Sequence, residues 1–94
     1  MTKTVKFNGE ELNVKMAKYE NGQNAIQLID QDGMPYMTAS VGHAINISDD
    51  DVIIKDYSEN EGIMASLIEA GIIDKPYCEV PSGFVTLYVA RLRK

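Results

Sequence analysis

The residues Asp56-Tyr57-Ser58-Glu59-Asn60-Glu61-Gly62-Ile63-Met64-Ala65-Ser66-Leu67-Ile68-Glu69-Ala70-Gly71 decide the fold, because they carry both a start and a stop signal for a helix. Ser58 with Glu61 has the spacing of a capping box, in which the hydroxyl accepts from an early backbone N–H and the carboxylate reaches back to the cap. Glu59 and Glu61 fall in the predicted first turn, where the helix dipole favours negative charge. Gly71 stands where a left-handed residue ends a helix, and Pro76 follows it. Between those signals Ile63, Met64, Leu67 and Ile68 recur at helical spacing. The spacing predicts one helix over about 59–70. Everything on either side reads as strand.

Working back towards the start, Thr4-Val5-Lys6-Phe7 alternates and is followed by Asn8-Gly9, a pair suited to the positive φ angles of a tight hairpin turn. Leu12, Val14 and Met16 share one face of the next run, 11–17, which reads as a half-buried strand. Glu20-Asn21-Gly22 is a second turn signal before 24–29, and Asp32-Gly33 a third before Met34 to Val41. Pro35 cannot donate to a ladder and belongs at a strand start or on an edge. Alternating runs separated by three turn signals predict an antiparallel meander of four strands. Residues 42–51 read as a loop, and Val52-Ile53-Ile54-Lys55 as a short fifth strand leading into the helix.

Beyond the helix, Ile72 and Ile73 are expected to pack under its end. A brief strand covers Cys78 to Val80, and Pro81-Ser82-Gly83 breaks it. The final strand, Phe84 to Leu92, reads as the longest. Val85, Leu87 and Val89 lie on one face, with Phe84, Tyr88 and Leu92 on the other, as a strand covered on both sides requires. The predicted class is α+β. A mainly antiparallel sheet of about five to six strands, meander first, carries one helix on one face and ends in a long C-terminal strand. Residues 1–94 form one domain, since the chain suffices for a single core.

A hydrophobic fraction of 45% is ordinary for a folded chain. No apolar run approaches the roughly 18 residues of a membrane span, and residues 1–6 lack the apolar region of a signal peptide, so a cytoplasmic location without membrane contact is expected. The net charge is −5. Residues 49 to 61 hold Asp49, Asp50, Asp51, Asp56, Glu59 and Glu61 against Lys55 alone, and that window carries the whole imbalance. The charges elsewhere cancel, which argues against direct nucleic-acid binding through a broad basic surface.

Little in the chain points to catalysis. His43, the single histidine, stands on a predicted loop, and no motif places a nucleophile or an orienting carboxylate beside it. The single cysteine, Cys78, excludes an internal disulfide and reads as a small, partly buried strand residue. Ser48-Asp49-Asp50-Asp51 lacks the glycine and distal glutamate of a calcium loop. It reads as a solvated loop, with Ser48 able to cap a turn through the aspartates. No catalytic, metal or cofactor site is therefore assigned. The binding candidates are Asp49, Asp50, Asp51, Asp56, Glu59 and Glu61, with Tyr57 as an aromatic anchor. If the loop and the helix start lie side by side, the six carboxylates form one patch that mimics phosphate towards a basic groove. The same acids also serve solubility and capping without any partner. Tyr19, Met34, Tyr36, Met37 and Tyr57 form a second set of interface-type residues whose competing role is packing.

Several blocks resemble a family of small uncharacterised proteins from phages, plasmids and other mobile elements. They are Val5-Lys6-Phe7-Asn8-Gly9-Glu10, Ala25-Ile26-Gln27-Leu28 with Asp32-Gly33 and Pro35-Tyr36, Ile54 to Gly62, Leu67 to Ile73, and Val80-Pro81-Ser82-Gly83-Phe84-Val85. The resemblance brings no catalytic residues. It implies an accessory or counter-defence role, of which inhibition of CRISPR nucleases is one example. The expected function is thus that of a non-enzymatic binding protein that inhibits or modulates a host or defence protein. Its partner would be a protein with a basic groove, such as a nucleic-acid-binding defence enzyme. The alternative is a self-associating module, a homodimer joined through an exposed sheet edge such as Thr4 to Phe7.

Overall fold

A computed structural model describes residues 3–43, 45–57 and 60–93. Its strands are β1 (Thr4–Phe7), β2 (Glu10–Lys18), β3 (Asn24–Ile29), β4 (Pro35–Thr38) and β5 (Asp51–Lys55); the helix α1 (Ile63–Glu69) and strands β6 (Cys78–Ser82) and β7 (Val85–Arg91) follow. The class is α+β. The first four strands form the predicted meander, in the order β1-β2-β3-β4. Asn8 and Gly9 join β1 to β2 with φ values of 52° and 78°, the left-handed pair that a two-residue hairpin turn demands. At the β3–β4 turn the Asp30 carboxylate accepts from the N–H groups of Asp32 and Met34 at 3.0 and 2.9 Å.

The expectation of one sheet of about five to six strands is corrected: there are two antiparallel sheets, of four and three strands, the second ordered β5-β7-β6. The division has a local cause just beyond β4. Ala39 donates to the Ile26 carbonyl at 2.9 Å, but its own carbonyl turns away and accepts from Lys55 N–H at 3.1 Å. The bond that Ile26 N–H would have made in a continuing ladder goes instead to the Ser40 hydroxyl, at 2.8 Å. One side chain thus replaces a backbone acceptor. The chain leaves the meander sheet there and pairs with β5 through a Ser40–Ile54 bridge.

The helix is shorter than predicted and begins later. Its N-cap is Gly62, at φ 93°, with no side-chain cap. Ser58 and Glu59, on which the predicted capping box and first turn partly fall, lie outside the described residues. Glu61 is exposed and precedes the helix. Two non-local bonds set the start. Buried Asn60 donates through Nδ2 to the Thr38 carbonyl at 2.9 Å, and the Asp56 carboxylate accepts from Gly62 N–H at 2.5 Å. The end is as expected: Gly71 adopts φ 76°, with Ile72 N–H donating to the Leu67 carbonyl and Gly71 N–H to that of Ile68, both at 3.0 Å. This is the Schellman pattern.

Ile63 and Leu67 of α1 are buried against Val5, Phe7, Leu12, Ile26, Leu28, Val52, Ile54, Ile72, Ile73 and Ala90. β7 is the centre of its sheet, with apolar residues on both faces. Tyr88 and Ala90 join this main core, while Leu87 and Val89 meet Ile53, Val41, Ile45, Ile47, Tyr57 and Val80 in a second one. β7 is not the longest strand, however: β2 has nine residues against its seven. Phe84 lies outside β7 and is fully exposed at the β6–β7 turn. Pro81 sits within β6 rather than breaking it, which an outer strand allows.

Candidate interaction surface

The acidic window folds as the two ends of β5. Ser48 opens a turn: its carbonyl accepts from Asp51 N–H at 3.0 Å and its hydroxyl from Asp50 N–H at 3.4 Å. Asp49 is exposed and Asp50 is half-buried. At the other end Asp56 and Tyr57 are half-buried and Glu61 is exposed, while Glu59 is outside the described residues. Asp50 and Asp56 are six positions apart along an extended strand, about 20 Å at a rise of ~3.3 Å per residue. That is about twice the screening length in physiological salt. Asp49 and Asp50 thus stand before β5, and Asp56 and Glu61 after it.

Asp51 is corrected as a surface contact, being 1% exposed. Its Oδ2 accepts from the Tyr77 hydroxyl and, at 3.3 Å, from Ser48 N–H. Its Oδ1 lies 3.6 Å from Nε of Arg91, its partner across the β5–β7 ladder. Among the described residues Oδ1 accepts no hydrogen bond. Asn24, itself buried, clamps the same turn from the meander sheet by donating to the carbonyls of Asp49 at 2.7 Å and Asp51 at 2.8 Å. Asp51 thus locks the loop, the second sheet and Tyr77 together. Asp56 likewise spends one carboxylate oxygen on the helix start.

Tyr57, expected as an aromatic anchor, packs against the second core. Met37 packs against the main core, whereas Met34 and Tyr36 are exposed. The Tyr19 hydroxyl lies 3.1 Å from that of Ser40. His43 is half-buried: its backbone N–H donates to Gln23 Oε1 at 2.9 Å and its Nδ1 accepts from Ile45 N–H at 3.4 Å. Cys78, expected to be partly buried, is exposed on β6. Asn21, Gln23 and Asn24, given no role beyond turn and strand in the sequence reading, tie the backbone of His43, Ile45, Asp49 and Asp51 by side-chain hydrogen bonds. Their signal was a cluster of amides in one hairpin turn. No group of His, Cys, Asp and Glu among the described residues could hold a metal ion, and no helix among them is long and apolar enough to cross a membrane.

The hydrogen bond to Asp51, then desolvation and the charge of that carboxylate, raise the Tyr77 phenol above its ordinary value of 10.0. An unfolded chain releases this proton first, so above about pH 10 the folded state binds more protons and stability falls with rising pH. The contribution is complete below the unfolded pKa and is lost as pH climbs through the raised one. Tyr77→Phe should remove this dependence. The stability gap between the two proteins, measured by urea unfolding at about pH 9 and about pH 11, should shrink at the higher value. An equal gap at both would show that the hydroxyl is not linked to folding.

Compared with models of known protein families, with curated proteins and with solved structures, the chain has no significant match.

Proposed function

We propose that the chain is a non-enzymatic binding protein of phage or mobile-element type that inhibits or modulates a host or defence protein. It docks through acidic groups on a basic, nucleic-acid-binding groove of that partner, within the cytoplasm. The observation that carries this reading is the placement of carboxylates at both ends of β5, with Asp49 exposed before the strand and Glu61 exposed after it. Acidic points at both ends of a strand meet a long basic groove better than a compact cationic pocket. Electrostatic docking of this kind steers encounter and weakens with salt.

The test is capture from bacterial lysate, including strains with active defence systems, eluted by increasing salt. A nucleic-acid-binding enzyme should be retained and released at moderate salt. Reversal at one end (Asp49→Lys with Asp50→Lys) and at the other (Glu61→Lys) should each weaken its retention by about tenfold. Asp51 and Asp56 are left intact because their carboxylates hold the fold. Unchanged retention by both reversed proteins would remove the acidic ends from the binding site. A second reading, self-association through a sheet edge, starts from the open side of β1. Doubling of mass with concentration, with no other protein retained, would support it.

A further inference from the structure

An outer strand turns every second N–H and C=O away from its sheet, and each of these seeks a partner. In β1 the pattern is set by one bond, Val14 N–H donating to the Lys3 carbonyl at 2.8 Å. Lys3, Val5 and Phe7 therefore face β2, and the backbone groups of Thr4 and Lys6 point outward. Among the described residues they meet no hydrogen-bonding partner. Of the other outer strands, β4 begins at Pro35, and β6, in the second sheet, holds Pro81, which has no donor, and the exposed charge of Glu79. β1 carries no proline and no bulge.

The helix turns this open edge into a groove. Thr4, Lys6, Ser66, Glu69 and Ala70 enclose a cleft of about 240 Å³. A Cβ on Gly62 would stand 3.8 Å from the Phe7 ring, so α1 starts at the Phe7 end of β1 and runs towards Thr4. Seven helical residues and a four-residue strand both span about 10 Å, so the wall matches the edge in length.

We propose that the groove between β1 and α1 binds an extended peptide segment of a partner protein, which adds to the meander sheet as a further strand. The outward groups of Thr4 and Lys6 require a backbone with complementary donors and acceptors, and an extended polypeptide supplies them. The peptide residue opposite Val5 points to the helix side, where Ser66 and Ala70 leave room for a β-branched side chain. The residue opposite Lys6, on the sheet face away from the helix, is acidic. A second copy of this chain fits less well. Antiparallel pairing of two β1 edges about a two-fold axis sets both helices on the same sheet face. Centred on Val5, that pairing also sets each Lys6 opposite the other copy's Thr4, with no acidic residue to meet it. The site uses neither Asp49, Asp50 nor Glu61, so its failure leaves the acidic-end reading standing.

The probe is the blocked peptide Ac-Val-Glu-Val-Lys-Val-NH2, and the readout is amide hydrogen exchange at Thr4 and Lys6. At about ten times its dissociation constant the peptide should slow both amides roughly tenfold. N-methylation of its Glu and Lys, whose amides face β1, should abolish the effect, whereas N-methylation of the central Val should not. Thr4→Pro removes an edge donor, and Ala70→Trp fills the groove from the helix without altering β1; each should abolish protection of Lys6. Unchanged exchange at millimolar peptide, or equal effects of both N-methylated forms, would overturn the proposal. So would protection that follows protein concentration alone with a doubled mass, which would make the occupant a second copy.

Discussion

Leu67→Ala is expected to destabilise the fold by about 3–5 kcal/mol, the upper part of the range for such truncations. Leu67 is 0% exposed and, with Ile63, is one of the two fully buried side chains of α1. A helix of seven residues has no stability of its own in water, so its position depends on those two anchors. The cavity would open between α1, β1 and the paired sheets, where the backbone ladders resist collapse into the space. A chain of this length is stable by roughly 5–14 kcal/mol, so the loss is a large share of the whole. The measurement is urea unfolding: the midpoint should fall with the slope unchanged. A loss below about 1 kcal/mol would mean that α1 does not anchor the core.

The second large effect is expected at Ser40. Ser40→Ala removes the acceptor of Ile26 N–H at a residue only 2% exposed, leaving a buried donor unsatisfied at a cost of about 1–3 kcal/mol. The Ala39 carbonyl cannot readily return to Ile26, because it accepts from Lys55. Tyr19→Phe serves as the control. It removes the other partner of the Ser40 hydroxyl but leaves Ile26 satisfied, and should cost about 1 kcal/mol or less. If the two substitutions cost the same, the hydroxyl does not stand in for the missing ladder bond.

The meander was legible because its signals are local. Asn8-Gly9 and Asp32-Gly33 announce left-handed backbone, and alternating residues between them share a face whatever the rest of the chain does. The helix end was legible for the same reason. Its start was not: Ser58 and Glu61 carry a capping pattern, but Asn60 is tied to Thr38 and Gly62 to Asp56, bonds that depend on tertiary placement. Asp51 looked like one of three equivalent loop acids. What buries it comes from Tyr77 and Arg91, 26 and 40 positions along the chain. The break between sheets hangs on one hydroxyl among ordinary serines. One clue was readable and missed: Ile45 and Ile47 are apolar residues in a supposed loop, and they cover the second core.

The order of strands has a consequence for synthesis on the ribosome. The meander is built from neighbours, and its hairpins are available once residue 38 has emerged. The second sheet is not, because its middle strand is β7, and neither β5 nor β6 pairs with the other directly. Until residues 85–91 have been made, Val52, Ile53 and Ile54 have no β7 to pair with. Distant pairings of this kind form slowly and leave sticky segments uncovered in the interval. A nascent chain held short of residue 85 should therefore engage chaperones through the apolar stretch 52–54, and a finished one should not.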